Sequence, residues 1–318
     1  MNNRKIRKQL TVILISLLLC MTCTAGTVFA YGSINIWQKT SVSVYFTENG
    51  KGISPVNFRI YRVADMDKNG EFTLTGDFRS YPVSLKDMNS SKWRALSQTL
   101  DAYVQRDQLQ PLKTGITGTY GSVTFSDLAV GLYLITGDSH TEGNTIYTPE
   151  PMLVSLPNLT SKNEWNYNVT VYCKYDKETT PGLVQRKVQK VWSDDGNQHK
   201  RPESISVQLL ENGNVADTVT LSSENNWEYI WKDLNGSSRW AVVEKDTPDG
   251  YTVSVVQEGI TFIMTNTYPE DSTPPTAPPK LPQTGMLWWP VPLLLCAGLI
   301  LTAAGFFIEK KRRNTDEK

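Results

Sequence analysis

The chain has 318 residues, with 32 Lys and Arg set against 32 Asp and Glu, room for about two domains. The charge balance leaves no basic field to hold nucleic acid and no acidic tail. Its two histidines, His140 and His199, lie far apart in sequence, which argues against a histidine-based metal or catalytic cluster. No Ser-His-Asp set, phosphate loop or zinc-ligand spacing is present, so the reading is not an enzyme, with no cofactor and no metal.

Residues 1–30 read as a signal peptide. Arg4, Lys5, Arg7 and Lys8 form a basic start, 10–20 an apolar run, and Val28-Phe29-Ala30 a small residue at the cut. The mature chain then starts at Tyr31, the alternative being an uncleaved membrane anchor. Of four cysteines, Cys20 and Cys23 leave with this peptide and Cys296 lies in a C-terminal apolar run. Cys173 alone remains in the exported part, so no disulfide can form within it. It reads as a tolerated surface or half-buried thiol, the alternatives being a reactive thiol or one that joins two chains.

Residues 31–178 alternate with period two at Val42, Val44 and Phe46, at Val56, Phe58 and Ile60, at Val123 and Phe125, at Tyr133 and Ile135, and at Val169 and Val171. Turn signals such as Glu48-Asn49-Gly50 and Lys68-Asn69-Gly70 separate these runs. Trp93, Leu96, Leu100, Tyr103 and Val104 follow helical spacing, with Ser90 or Ser91 as the cap. The pattern predicts a β-sandwich with a helical insertion. After a breaker at 179–183, residues 184–268 predict seven short strands at 188–192, 205–209, 218–221, 227–231, 240–244, 251–255 and 260–267. That density points to an immunoglobulin-like sandwich. The fold class is all-β: two tandem immunoglobulin-like sandwiches plus a C-terminal transmembrane helix.

Residues 269–280 open a stretch holding six prolines by Pro282. It favours polyproline II at about 3.1 Å per residue and would act as a stiff spacer. Leu281-Pro282-Gln283-Thr284-Gly285 follows, then 23 almost wholly apolar residues at 286–308 with Trp288 and Trp289 at one end, long enough to span a bilayer. Lys310, Lys311, Arg312 and Arg313 in the tail 309–318 put that end in the cytoplasm. The arrangement resembles the sorting signal of sortase substrates. The resemblance implies cleavage between Thr284 and Gly285, with Leu281, Pro282, Thr284 and Gly285 as the recognition and cleavage residues. The partners implied are sortase and a peptidoglycan precursor, and the location is the cell wall after a transient membrane stage. The alternative is a single-pass membrane protein with a chance pentapeptide.

The stretches KVWSDDGNQHKRPESISVQLLENG (190–213), NNWEYIWKDL (225–234), WAVVEKDTPDGYTV (240–253) and ITFIMTNTY (260–268) resemble the Cna-B-type domain of collagen adhesins and Gram-positive pilins. FRIYRVAD (58–65), FSDLAVGLYL (125–134) and WNYNVTVYCK (165–174) make the first unit similar to the N-terminal domain of pilin-related proteins. Strand alternation places Lys190 with Val188 and Trp192, Glu244 with Trp240 and Val242, and Asn266 with Phe262 and Met264. From the residues alone, Lys190 and Glu244 read as a buried or partly exposed ion pair. The Cna-B resemblance implies instead an isopeptide bond between Lys190 and Asn266, assisted by Glu244. In the first unit Thr136 and Gly137 offer no carboxylate and 41–46 no lysine, so no such bond is expected there, with Asp138 or Lys39 the substitutes if the register slips.

Residues 165–174 also resemble the pilin motif, whose lysine accepts an acyl group from a sortase. This implies Lys174 as acceptor at the end of the unit's last strand, although Cys173 stands where the motif has proline. An ordinary surface lysine is the alternative, and Lys177 the nearest substitute. Ser193-Asp194-Asp195-Gly196-Asn197 has some look of a calcium loop but reads better as a turn. The reading is a wall-anchored pilus subunit, basal or minor, whose partners include other pilin subunits. The alternative is a stand-alone adhesin whose first domain binds host matrix protein or glycan.

Overall fold

The computed structural model describes residues 33–179 and 182–269. The signal peptide, the pentapeptide 281–285, the apolar span 286–308 and the basic tail lie outside the described residues, as does the spacer beyond Pro269. Among the described residues no helix is long and apolar enough to cross a membrane. The described chain is mostly β.

In the first sandwich, Thr40–Tyr45 lies between Asn168–Tyr172, which runs parallel to it, and Ser122–Leu128, which runs antiparallel. The facing sheet has the order Met152–Leu156, Gly131–Gly137, Asn57–Met66, Phe72–Leu74, with Lys113–Ile116 also paired to the long strand. Val42, Val44, Phe46, Phe58, Ile60, Tyr133 and Ile135 all point inward and are buried, as their period-two spacing requires. A smaller sheet adds Tyr175–Thr179 beside Thr145–Pro149 and His140–Glu142.

Gly131–Gly137 is buried at every position. Such a strand has a core on both faces and so lacks the polar alternation of a half-exposed one. Tyr133 and Ile135 belong to the sandwich core, whereas Leu132 and Leu134 join a second core with Leu96, Leu100 and Tyr103 of the helix Ser90–Arg106. The helix is capped by Asn89, not by Ser90 or Ser91: the Asn89 side-chain oxygen accepts the Lys92 N–H at 2.9 Å. An Asn carboxamide at that position reaches the third-residue amide, which satisfies a donor the helix itself cannot.

In the second sandwich all seven predicted strands form. One sheet has the order Glu228–Asn235, Leu183–Ser193, Thr261–Thr267, Thr252–Glu258, and the other Asn214–Ser222, Ser204–Glu211, Trp240–Glu244. The first and last strands of this sandwich run parallel, side by side. The expected breaker is short: Thr179 still pairs with Thr145, and Leu183 already pairs with Asn235.

The two sandwiches are packed together. Leu96, Leu100 and Tyr103 share one buried cluster with Val188, Leu209, Val242, Val253 and Met264. Among the described residues the edge strand Thr252–Glu258 has no further strand beside it. Its outward amides meet the first sandwich instead: Val253 N donates to Pro82 O at 2.7 Å, Val255 N to Thr99 Oγ1 at 2.8 Å and Gln257 N to Gln98 Oε1 at 2.7 Å. Donors that an open edge would leave to solvent are thereby satisfied. Arg239 and Asp101 add an ion pair of 2.7 Å across the same junction.

Leu100 is fully buried in the shared cluster. Leu100→Ala is expected to cost about 2–5 kcal/mol. Urea unfolding followed by tryptophan fluorescence should show one transition moved to lower denaturant, because Trp93 and the tryptophans of the second sandwich report on one joint core.

Candidate functional site

Lys190, Asn266 and Glu244 meet in the core of the second sandwich. Lys190 lies on Leu183–Ser193 and Asn266 on the adjacent parallel strand Thr261–Thr267, where Lys190 is level with Met264 and Trp192 with Asn266. Glu244 ends Trp240–Glu244 in the facing sheet. Each is an inward position of its strand, flanked by Val188, Met264 and Val242, all buried. The strand periodicity that buries these apolar neighbours carries the polar residues in with them.

The side chains of Lys190 and Glu244 are completely buried, with Nζ and Oε1 3.8 Å apart. That separation is too long for a hydrogen bond, and Nζ has no hydrogen-bond partner among the described residues. The Trp192 ring lies against the amine, 4.1 Å from Nζ to the ring centre. Asn266 Nδ2 donates to both Glu244 oxygens at 2.9 Å, while Asn266 Oδ1 is buried without a partner among the described residues. Burial lowers the Lys190 amine to about 7, outweighing the pull of Glu244. Burial likewise raises the Glu244 carboxyl, against the opposing effect of Lys190 and the amide of Asn266. Both shifts favour uncharged partners.

These groups can react. A neutral amine is a nucleophile, and the Asn266 side-chain carbonyl carbon is an electrophile. The two ends of a carboxamide are nearly isosteric, so turning the Asn266 amide over would set Oδ1 against Glu244. A protonated Glu244 would then donate to Oδ1 and polarise the carbonyl. An uncharged amide product would also relieve the buried Nζ and Oδ1, each costing about 1–3 kcal/mol while unsatisfied.

Aromatic and polar residues wall the site. Trp192 packs edge-on against Trp227 and Tyr251, with centroids 5.3 Å apart in each pair. Asp194, in the segment compared above with a calcium loop, is buried and bound by Arg201 and by the Tyr251 hydroxyl at 2.8 Å. The Arg201 hydrogen bonds hold its carboxyl below the usual range. Sequence reasoning missed Asp194, Arg201 and Tyr251 as one network. The available signal was an acidic residue directly after the inward Trp192 strand, but no local spacing links it to Tyr251.

Among the described residues the first sandwich shows no matching trio. Asp138 pairs with Arg59 near the surface, and Lys39 pairs with Asp127 at 3.3 Å, both well exposed. Lys174 is exposed and no ion pair among the described residues holds its ammonium. It does not end the last strand, as expected above: after a two-residue break the chain re-enters the fold as Tyr175–Thr179, paired with Thr145–Pro149. Tyr175 packs on Phe46 and Tyr147, and that apolar side chain draws the chain back onto the core. Lys174 therefore sits at a junction anchored on both sides, with its carbonyl accepting the Glu150 amide at 2.8 Å. Lys177 is held by Glu48 at 2.6 Å. Cys173 is buried, not at the surface or half-buried, and burial pushes its thiol up to about 12.

Residues 186–267 match the family described as the Cna protein B-type domain, and residues 36–176 match the Gram-positive pilin subunit D1, N-terminal domain. A collagen adhesin of Staphylococcus aureus is 39% identical over 114 residues, which is 34% of this chain and 9% of that protein. Among solved structures, a single B repeat unit (B1) of the collagen binding surface protein (Cna) of Staphylococcus aureus is 21% identical. Its match covers 73% of this chain and 99% of that one, with a TM-score of 0.26. The full-length major pilin SpaD of Corynebacterium diphtheriae is 10% identical, covering 75% of this chain and 100% of that one, with a TM-score of 0.28. The chain is therefore similar to a pilin N-terminal D1 domain over its first sandwich and to a Cna protein B-type domain over its second.

Proposed function

We propose that this protein is a wall-anchored structural subunit of a surface pilus, basal or minor in position, whose second sandwich is stabilised by an isopeptide bond between Lys190 and Asn266. The observation that carries the bond is the buried trio itself, with an unpartnered amine and an unpartnered carboxamide oxygen beside one carboxyl group. Nζ of neutral Lys190 attacks Cγ of Asn266. Protonated Glu244 donates to Oδ1 as the tetrahedral intermediate forms. The Cγ–Nδ2 bond then breaks. Glu244 relays the proton lost from Nζ to Nδ2, which leaves as ammonia. Oδ1 returns its proton to Glu244 as the carbonyl re-forms, so Glu244 ends protonated as it began, one amide forms and one ammonia is released.

Anchoring rests on the terminal signals. A sortase cysteine would take the Thr284 carbonyl as a thioester, releasing Gly285 and the apolar tail. A peptidoglycan precursor would supply the amine that accepts Thr284. Lys174 is the proposed acceptor for a neighbouring pilin subunit, because it is exposed and its amine is not held in an ion pair, whereas Lys177 is held by Glu48. A second reading is a stand-alone adhesin, favoured by the 39% identity to a collagen adhesin in one stretch. There the first sandwich would bind a host protein or glycan, and the second would serve as a stalk.

Intact mass tests the bond. The purified chain is expected to be lighter than its sequence by one ammonia, and Lys190→Ala should restore the full mass. An unchanged mass in the parent chain would remove the bond from the account.

Wall extracts test the assembly. A covalent ladder that disappears in Lys174→Ala is expected for a pilus subunit; a single anchored species in both would favour the adhesin.

Asn266→Ala leaves Lys190 buried with nothing to react with. The folded chain then gives up the Lys190 proton near 7, while the unfolded chain keeps it up to the ordinary value of 10.5. Unfolding takes up a proton between these limits, so stability should rise with pH across that window. The Tm of Asn266→Ala is expected to be higher at about pH 9 than at about pH 7 relative to Asn266→Ala with Lys190→Met. Parallel profiles would show that Lys190 is not neutralised by burial.

A further inference from the structure

We propose that Arg201 is a positioning residue for the cross-link: it occupies the buried Asp194 carboxylate beside Trp192 and so keeps that charge from holding the Lys190 amine as an ammonium. This deepens the proposed function and rests on its reading of the trio.

The chain leaves the Lys190 strand just past Trp192 and at once buries an acid that the cross-link chemistry does not use. The Asp194 side chain is 1% exposed. A carboxylate out of water needs partners, and Asp194 has them on both oxygens. Arg201 Nη2 donates to Oδ1 at 2.5 Å, Arg201 Nε donates to Oδ2 at 2.8 Å, and the Tyr251 hydroxyl donates to the same Oδ2 at 2.8 Å. This planar two-point grip is one that a guanidinium makes and an ammonium cannot. The turn that delivers Arg201 is closed by its own backbone. Asn197 N–H donates to Asp194 O at 2.7 Å, Lys200 N–H to Asn197 O at 2.9 Å and Arg201 N–H to Gln198 O at 3.2 Å.

The ion pair meets the reacting amine at one ring. Lys190 Nζ lies 4.1 Å and Arg201 Cζ 5.7 Å from the centre of the Trp192 ring. Tyr251, which also holds Asp194, packs edge-on against that ring with centroids 5.3 Å apart. Among the described residues, the charged and titratable groups around the amine are Glu244 from the facing sheet, Asp194 and Arg201 from the turn, and Tyr251 just before Thr252–Glu258. Burial pushes the amine toward its uncharged form; Glu244 and Asp194 pull it back toward the ammonium, and Arg201 opposes them. An indole face also favours a cation.

With Arg201 in place, the Asp194 charge is balanced where it stands. Without it, a bare carboxylate in a site of low dielectric would stabilise the ammonium, which has no lone pair with which to attack Asn266. Arginine keeps its proton throughout the range in which the amine titrates, so the balance does not lapse with pH. For charges about 10 Å apart in such a setting the effect is about one pH unit.

The test starts from full chain recovered unfolded in urea with its mass still complete. It is diluted into buffers from about pH 5 to about pH 9, and the rate of ammonia loss is read by intact mass at each. Arg201→Gln should move the rising limb of the rate profile up by about one pH unit, a rate about tenfold lower at about pH 6. Asp194→Asn should move the limb down, because Arg201 is then unpaired beside the amine. Arg201→Gln combined with Asp194→Asn should return it to the parent position, a rescue that a merely structural ion pair would not give. Limbs unmoved in both single variants, or rates lowered equally at every pH, would overturn the proposal while leaving the cross-link intact. Should Arg201→Gln fail to fold, Asp194→Asn decides, and a limb at the parent position would overturn it. A parent chain that never loses ammonia would overturn the cross-link itself, and this role with it.

Discussion

A lysine and a glutamate are buried together in the apolar core of the second sandwich. Taking two charges out of water costs several kcal/mol per ion, recovered only where geometry and hydrogen bonding are very good. Here the geometry is poor for an ion pair: 3.8 Å separates Nζ from the nearer carboxylate oxygen, and the amine has no hydrogen bond among the described residues. Burial shifts both groups toward their uncharged forms, lowering the Lys190 amine to about 7 and raising the Glu244 carboxyl. An uncharged amine is also what the proposed chemistry with Asn266 would need, so the burial that makes the ion pair costly is what that proposal draws on.

The surrounding fold meets the demands of that burial. Parallel pairing of the first and last strands brings Lys190 and Asn266 to neighbouring positions of one sheet, and Glu244 completes the trio from the sheet opposite. Trp192 and its aromatic neighbours keep water from the amine. The Asp194–Arg201–Tyr251 network closes the rim without placing a bare charge in the core.

The helix Ser90–Arg106 sits between two cores. One side covers the outer face of Gly131–Gly137; the other closes the open edge of Thr252–Glu258. A sheet edge left bare invites pairing with other chains, and the helix removes that edge with side-chain and loop acceptors instead of another strand. A helix that reads as an insertion in one sandwich thus serves the other.

The sequence by itself was enough for the seven strands of the second sandwich and for the inward faces of Lys190, Glu244 and Asn266, because strand periodicity is a local property that a single chain displays. It also located the helix, missing only the cap by one residue, since Asn89, Ser90 and Ser91 are all competent capping residues. The uniform burial of Gly131–Gly137 was legible only as an apolar run, with no indication of what covered its second face. The docking of the sandwiches, the capping of Val253, Val255 and Gln257, and the return of the chain after Lys174 were decided by tertiary structure. The contacts between the sandwiches join residues more than a hundred positions apart, such as Thr99 and Val255, and no local pattern encodes which distant acceptor a backbone amide will find.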